Sequence, residues 1–321
     1  MRTGTRVTLN RSLQSSARPM QTTLRRAVTL EGRGAHSDRV ARLTLSPADA
    51  GTGVLFQRAD ADASPVAALW SRVTATQLRT LIGEGEGSVA TIEHLMAAFA
   101  GLQIDNVIVD VDGPEAPAMD GSARAFVAAI REAGVRRLAA PRRSLKILKS
   151  VRVSDGAAFA ELGPSAEPGL RLDVAIDFSH GLIGRQRLAL TLSRDAFIRE
   201  LAGARSFGFL SDAERLWREG LALGASLENC VILDEREALN PEGLRFDDEF
   251  VRHKALDVVG DLALVGAPIE GAFRSYRGGH KLNHALVEKL MTTPAAFEWR
   301  DGARSGAERV AARRRQNVPA P

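Results

Sequence analysis

Residues 91–134 read TIEHLMAAFAGLQIDNVIVDVDGPEAPAMDGSARAFVAAIREAG, and their pattern decides the fold. TIEHLMAAFAG (91–101) predicts a helix, with Leu95, Ala98, Phe99 and Leu102 at helical spacing and Gly101 as its stop. IDNVIVDVDG follows as a strand that places Val107, Val109 and Val111 on one face, and Asp112-Gly113 turns the chain. SARAFVAAIREAG predicts a second helix, capped by Ser122 and closed by Gly134. The same order returns about 160 residues later. DDEFVRHKALDVVGD (247–261) is a helix with acids in its first turn, where the helix dipole favours them. IEGAFRSY (269–276) is a strand and HKLNHALVEKL (280–290) a helix. Two rounds of helix, strand, loop and helix imply an internal duplication, hence two similar α+β domains facing each other.

Each domain opens with β-rich sequence: RLTLSPADAGTGVLFQR in the first, LKILKSVRVSDGAAFAEL and LRLDVAIDF in the second. The arginine-rich VRRLAAPRRS (135–144) reads as the linker, so the domains are expected at 20–140 and 141–300. Residues 211–234 have no counterpart in the first domain and read as an insertion, with a capping box (Ser211, Glu214) and a short strand CVIL. Residues 1–19 are polar, acid-free and arginine-rich. They read as a disordered extension ahead of Met20, with a transit peptide as the alternative. The tail at 301–321 reads as disordered and solvated.

Among the 321 residues, 45% are hydrophobic and 26% charged, the balance of a soluble globular protein. No apolar run reaches the ~18 residues of a membrane-spanning helix, so no integral membrane segment is expected. Cys230 is the only cysteine, which rules out a disulfide framework within the chain and fits a reducing, cytoplasmic setting. Flanked by strand residues, it reads as core and not as a nucleophile. The net charge of +4 comprises +6 in residues 1–30 and +3 in residues 301–321, leaving 4 − 9 = −5 for the body between them. A mildly acidic body argues against nucleic acid as partner.

Among the six histidines, His253 and Asp257 stand four apart on one face of a predicted helix, with Asp261 one turn further. His94 follows Glu93 at the start of the other key helix. Two ligands from one helix and a third from a facing element would make an open tetrahedral zinc site, with the fourth position left for water. An exposed polar stripe is the competing reading of the same spacing. His280 follows two glycines in RGGHKLNHAL, and His36 in EGRGAHSDR reads either as a loop histidine or as a substrate contact. His284 reads as an exposed surface histidine, and His180 is assigned no role.

TIEHLMAAFAGLQIDN, PAMDGSA, ARSFGF, NPEGLRFDDEFVRHKALDVVGDL and GAFRSYRGGHKLNHALVEKL, in this order, resemble the signatures of the zinc-dependent UDP-3-O-acyl-N-acetylglucosamine deacetylases, the LpxC family. The resemblance runs from about Met20 to Trp299. It implies an α+β fold of two domains, each a sheet packed on helices, with the helices sandwiched between the sheets and the active site at the domain interface. It implies a monomeric cytoplasmic zinc hydrolase that removes the N-acetyl group of a UDP-linked acylated amino sugar, the committed step of lipid A synthesis. The zinc ligands implied are His94, His253 and Asp257, with Glu93 as general base and His280 as the acid oriented by Asp261. Ser206 takes the place of the family's threonine as oxyanion donor, Lys254 and Phe207 face the substrate, and His36 counts among the substrate contacts. The insertion, through Leu216, Trp217, Leu221 and Leu223, is where the acyl chain would pass, although packing is the alternative for these side chains. Asp38 and Lys281 depart from the family pattern, and Lys281 beside His280 is expected to lower that imidazole's pKa. A diverged deacylase of another amino sugar, or a non-catalytic nucleotide-sugar-binding relative, is the rival reading.

Overall fold

A computed structural model describes residues 19–300. The expectations for residues 1–18 and 301–321 lie outside this range. Two sheets organise the chain. In the first, the strand order is Val28–Arg33, Val40–Pro47, Val107–Val111, Val54–Arg58 and Val66–Ala67. The valine-alternating strand Val107–Val111 therefore lies at the centre, with Val107, Val109 and Val111 fully buried on one face, as period-two patterning requires. The second sheet has seven strands around Ile269–Tyr276. That strand pairs antiparallel with Ala158–Gly163 and parallel with Leu170–Asp177, and at its start parallel with Ser144–Ile147. The strand that follows the key helix thus lies inside its sheet in both halves, as the duplication predicts.

Four longer helices accompany these sheets: α1 (Glu93–Leu102), α2 (Arg124–Ala133), α3 (Glu249–Ala263) and α4 (His280–Met291). Nine of the ten residues of α1 and twelve of the fifteen of α3 are buried, so both helices are enclosed on all sides. They pack on each other, and Gly260 is the reason they come so close. A Cβ built there would lie 2.0 Å from the Glu93 carbonyl oxygen. This contact joins the two halves at the very residues the sequence marks as chemical.

Three local expectations change. Gly101 does not stop α1; it lies inside the helix as a notch for the Phe197 ring, 2.2 Å from where its Cβ would be. The helix ends instead at Gln103 in a left-handed conformation, φ 62°. Residues 135–141 of the expected linker form a strand that pairs antiparallel with Met20–Leu24. The predicted capping box at Ser211 is not formed, because Leu210–Asp212 is a 3-10 turn and the short helix Ala213–Arg218 starts after it. Ser122 does accept the Arg124 amide at 3.2 Å, one residue ahead of the helix boundary, and Gly134 closes α2 with φ 70°.

Candidate active site

The first turn of α1 brings Glu93 and His94 against the middle of α3, which carries His253, Asp257 and Asp261 on one face; all five are buried. His94, His253 and Asp257 each offer a ligand atom, and these atoms lie within 4.8 Å of one another. Asp257 Oδ1 is 3.5 Å from the Nε2 of His94 and 3.5 Å from the Nε2 of His253. Donors 2.0–2.1 Å from a tetrahedral cation stand about 3.3 Å apart, so the spacing suits a shared ion better than direct hydrogen bonds. Asp257 Oδ1 is buried and has no hydrogen-bond partner, which is costly unless a cation takes its lone pairs. His253 Nδ1 faces the Ala204 carbonyl at 3.2 Å. A carbonyl only accepts, so Nδ1 carries the proton and the Nε2 lone pair faces the cluster. Burial pushes the His253 pKa down to about 4, which keeps the imidazole neutral as ligation requires. Burial works against the Asp257 carboxylate, but the cationic groups around it, with Lys254 Nζ 2.7 Å from Oδ2, hold it well below the usual range. The donor set fits a divalent metal.

Beside this trio stand Glu93 and His280. Burial raises the Glu93 pKa; its Oε2 accepts the Thr80 amide at 3.0 Å and its Oε1 lies 4.0 Å from His280 Nε2. His280 Nδ1 is 2.8 Å from Asp261 Oδ2. Burial opposes its charge, yet Asp261, Asp257 and Glu93 outweigh burial and raise its pKa to about 9. Glu93 Oε1 and His280 Nε2 thus face each other beside the cluster, and His280 Nε2 is also 3.9 Å from Asp257 Oδ2.

A family model described as LpxC, UDP-3-O-acyl N-acetylglycosamine deacetylase, matches residues 21–292. The chain belongs to this family. The UDP-3-O-acyl-N-acetylglucosamine deacetylases of Brucella ovis, Brucella canis and Brucella melitensis are each 50% identical to it over 280 residues, which cover 87% of this chain and 97% of theirs.

Ser206 sits beside Gly121, whose carbonyl accepts both its amide at 2.8 Å and its hydroxyl at 3.2 Å. Phe207 meets the His253 ring edge-on, with centroids 6.2 Å apart. Lys254 is paired with Asp257, with its own pKa lowered by burial but raised further by that carboxylate. His36 is buried, its Nδ1 accepts the Ala222 amide at 3.2 Å, and burial lowers its pKa to about 4. Its backbone is held by Glu115, which also accepts the Thr91 hydroxyl ahead of α1. Asp38 occupies a left-handed conformation, φ 52°, which aspartate tolerates better than most residues other than glycine.

Two readings are corrected. Lys281 does not depress His280, because its ammonium pairs with Asp155 at 2.9 Å on the exposed face of α4, and the imidazole pKa is raised. His284 is half-buried, with Nε2 3.1 Å from the Trp70 carbonyl. The insertion divides: Leu221 is 7% exposed and packs, whereas Trp217 and Leu223, at 54% and 47%, stay open to solvent with Leu210 and Leu227. Cys230 is half-buried and burial pushes its thiol up to about 12, consistent with an unreactive side chain. A cavity of about 230 Å³, lined by Met96, Phe99, Ile104, Val259 and Leu262, contains none of the polar cluster.

Sequence reasoning missed Thr80, Glu115 and the Arg205–Glu249 pair. Arg205 is fully buried, and Glu249 Oε1 takes its Nε at 2.9 Å and its amide at 3.0 Å. The pair fixes the segment that presents the Ala204 carbonyl to His253 on one side and the Ser206 hydroxyl on the other. An arginine inside the otherwise small-residue run AGARS was the available signal.

Proposed function

We propose that this chain hydrolyses the N-acetyl group of UDP-3-O-acyl-N-acetylglucosamine to acetate and a free amine, with zinc held by His94, His253 and Asp257. The unpartnered, buried Asp257 Oδ1 between two imidazoles carries this reading. Zinc bound there supplies Lewis-acid polarisation of the amide carbonyl and a lowered pKa for a water molecule. Glu93 takes the proton of the attacking water on Oε1, its other oxygen being engaged by the Thr80 amide. His280 hands its Nε2 proton to the amine nitrogen as the C–N bond breaks; an amine leaves poorly without that proton. Asp261 on Nδ1 keeps the imidazole charged and aimed. The Ser206 hydroxyl donates to the oxygen on which negative charge gathers, once it turns from the Gly121 carbonyl. One water is consumed and one acetate released.

The exposed apolar side chains of Leu210, Trp217, Leu223 and Leu227 support a role for this part of the chain in receiving the acyl group. Residues 20–140 and 141–300 are proposed as the two domains, an assignment supported by one large sheet in each, of five and seven strands, and by the return strand at 135–141. No helix among the described residues is long and apolar enough to cross a membrane. The cytoplasm is the proposed compartment, in keeping with a lone cysteine. The test is zinc quantitation alongside acetate release from the UDP-linked substrate, with and without chelator. Acetate release that survives complete metal removal overturns the proposal.

A further inference from the structure

We propose that Thr80 is a positioning residue that selects the proton-handling atom of both neighbouring groups: one oxygen of Glu93 directly, and one nitrogen of His280 through Asp261. The inference rests on the reading of Glu93 as base and His280 as acid. Thr80 is 2% exposed and precedes the short strand Leu81–Ile82. Its amide occupies Glu93 Oε2 at 3.0 Å, which leaves Oε1, the oxygen 4.0 Å from His280 Nε2, to take a proton. Its hydroxyl donates to Asp261 Oδ1 at 2.7 Å. The other oxygen of Asp261 accepts His280 Nδ1 at 2.8 Å and Asn283 Nδ2 at 2.9 Å.

With both oxygens engaged, the Asp261 carboxylate cannot turn about its terminal torsion, which is otherwise soft. The Nδ1 proton of His280 is thereby pinned and Nε2 is the nitrogen presented to the leaving group. A valine would keep the shape and the amide of Thr80 but delete the hydroxyl, leaving Asp261 Oδ1 buried without a donor. A serine would keep the hydroxyl and lose only the methyl that restricts its rotamer.

The experiment compares Thr80→Val, Thr80→Ser, Asp261→Asn and the Val/Asn double variant in the zinc-loaded full chain. Thr80→Val is expected to lower kcat about 10–100-fold, the usual effect of removing a partner that orients a site residue, with KM within about twofold and zinc content unchanged. Thr80→Ser should retain most of the activity. In the Asp261→Asn background the valine should cost much less than it does alone, because the hydroxyl acts mainly through that carboxylate, its own distance to His280 Nδ1 being 3.4 Å. A readout independent of turnover is the downfield His280 Nδ1–H resonance in NMR of the zinc-free protein, assigned by its loss in His280→Gln. It should persist in Thr80→Ser and broaden or shift in Thr80→Val. Wild-type kcat and an unmoved resonance in Thr80→Val, or losses that multiply in the double variant, overturn the proposal. A wild-type chain that releases no acetate while the resonance responds as stated would sink the deacetylase reading and uphold the positioning role.

Discussion

Gly260→Ala tests the link between fold and chemistry most directly. The new Cβ would lie 2.0 Å from the Glu93 carbonyl oxygen, 2.8 Å from its carbon and 3.1 Å from its Cα, whereas ordinary contact begins at 3.4 Å. Both partners are helix backbone, so no flexible side chain can swing aside, and α1 and α3 must part by about 1.4 Å. Two effects oppose each other in stability. Alanine in a helix interior is favoured over glycine by about 1 kcal/mol, while overpacking costs about 1–3 kcal/mol. The net loss is therefore about 0–2 kcal/mol, and at about 2–4 °C per kcal/mol the melting temperature falls by a few degrees.

Function should suffer far more than stability, because the displacement separates Glu93 and His94 on α1 from His253, Asp257 and Asp261 on α3. Metal sites tolerate about 0.2 Å of misplacement, and an error of about 1 Å can cost about 100-fold in rate. Zinc per chain and acetate release should both fall, turnover by at least about 100-fold, with calorimetry reporting the small change in melting temperature. A Gly260→Ala protein that melts higher, holds full zinc and turns over normally would refute the close packing of these helices as what assembles the site.

Other outcomes follow from the same geometry. Glu93→Gln keeps an acceptor for the Thr80 amide but cannot take a proton, so acetate release should drop about 10²–10⁴-fold with zinc retained; normal turnover would remove Glu93 as base. His253→Ala should lower bound zinc measured by atomic emission, and unchanged zinc would strike it from the ligands. His280 must be protonated to act, and its pKa is raised to about 9, so activity should fall as pH rises through that region. Asp261→Asn removes the carboxylate that holds the charge while burial remains, so this limb should move to lower pH; an unmoved limb in the pH–rate profile would contradict Asp261 as its cause. Lys281→Ala should leave that limb in place, since the ammonium is engaged with Asp155 on the exposed side; a shift would restore Lys281 as a tuning group.

Local patterns carried much of the fold. The alternating valines of 107–111 face the core of a central strand, and the helices at 249–263 and 280–291 begin and end close to where their periodicity suggests. Where the reading slipped, a distant contact had overruled a local rule. Gly101 looked like a stop because glycine weakens helices, but its missing side chain is needed for Phe197, 96 positions further along the chain. Residues 135–141 looked like a linker because they are arginine-rich, yet Met20–Leu24 supplies the partner strand that orders them.

What the chain specified by itself is the chemistry available: a histidine and an aspartate one helical turn apart, a Glu-His pair at another helix start, and family motifs over most of its length. Spacing of 3.6 residues per turn is a local property, so His253 and Asp257 share a face whatever surrounds them. Only the folded structure decided that Asp257 Oδ1 would be buried without a partner, that Thr80 would reach Asp261 across 181 positions, and that Lys281 would turn away from His280. Those outcomes depend on which backbones meet. Helix α1 meets α3 at Gly260 because a single absent methyl lets two helices from opposite halves of the chain touch.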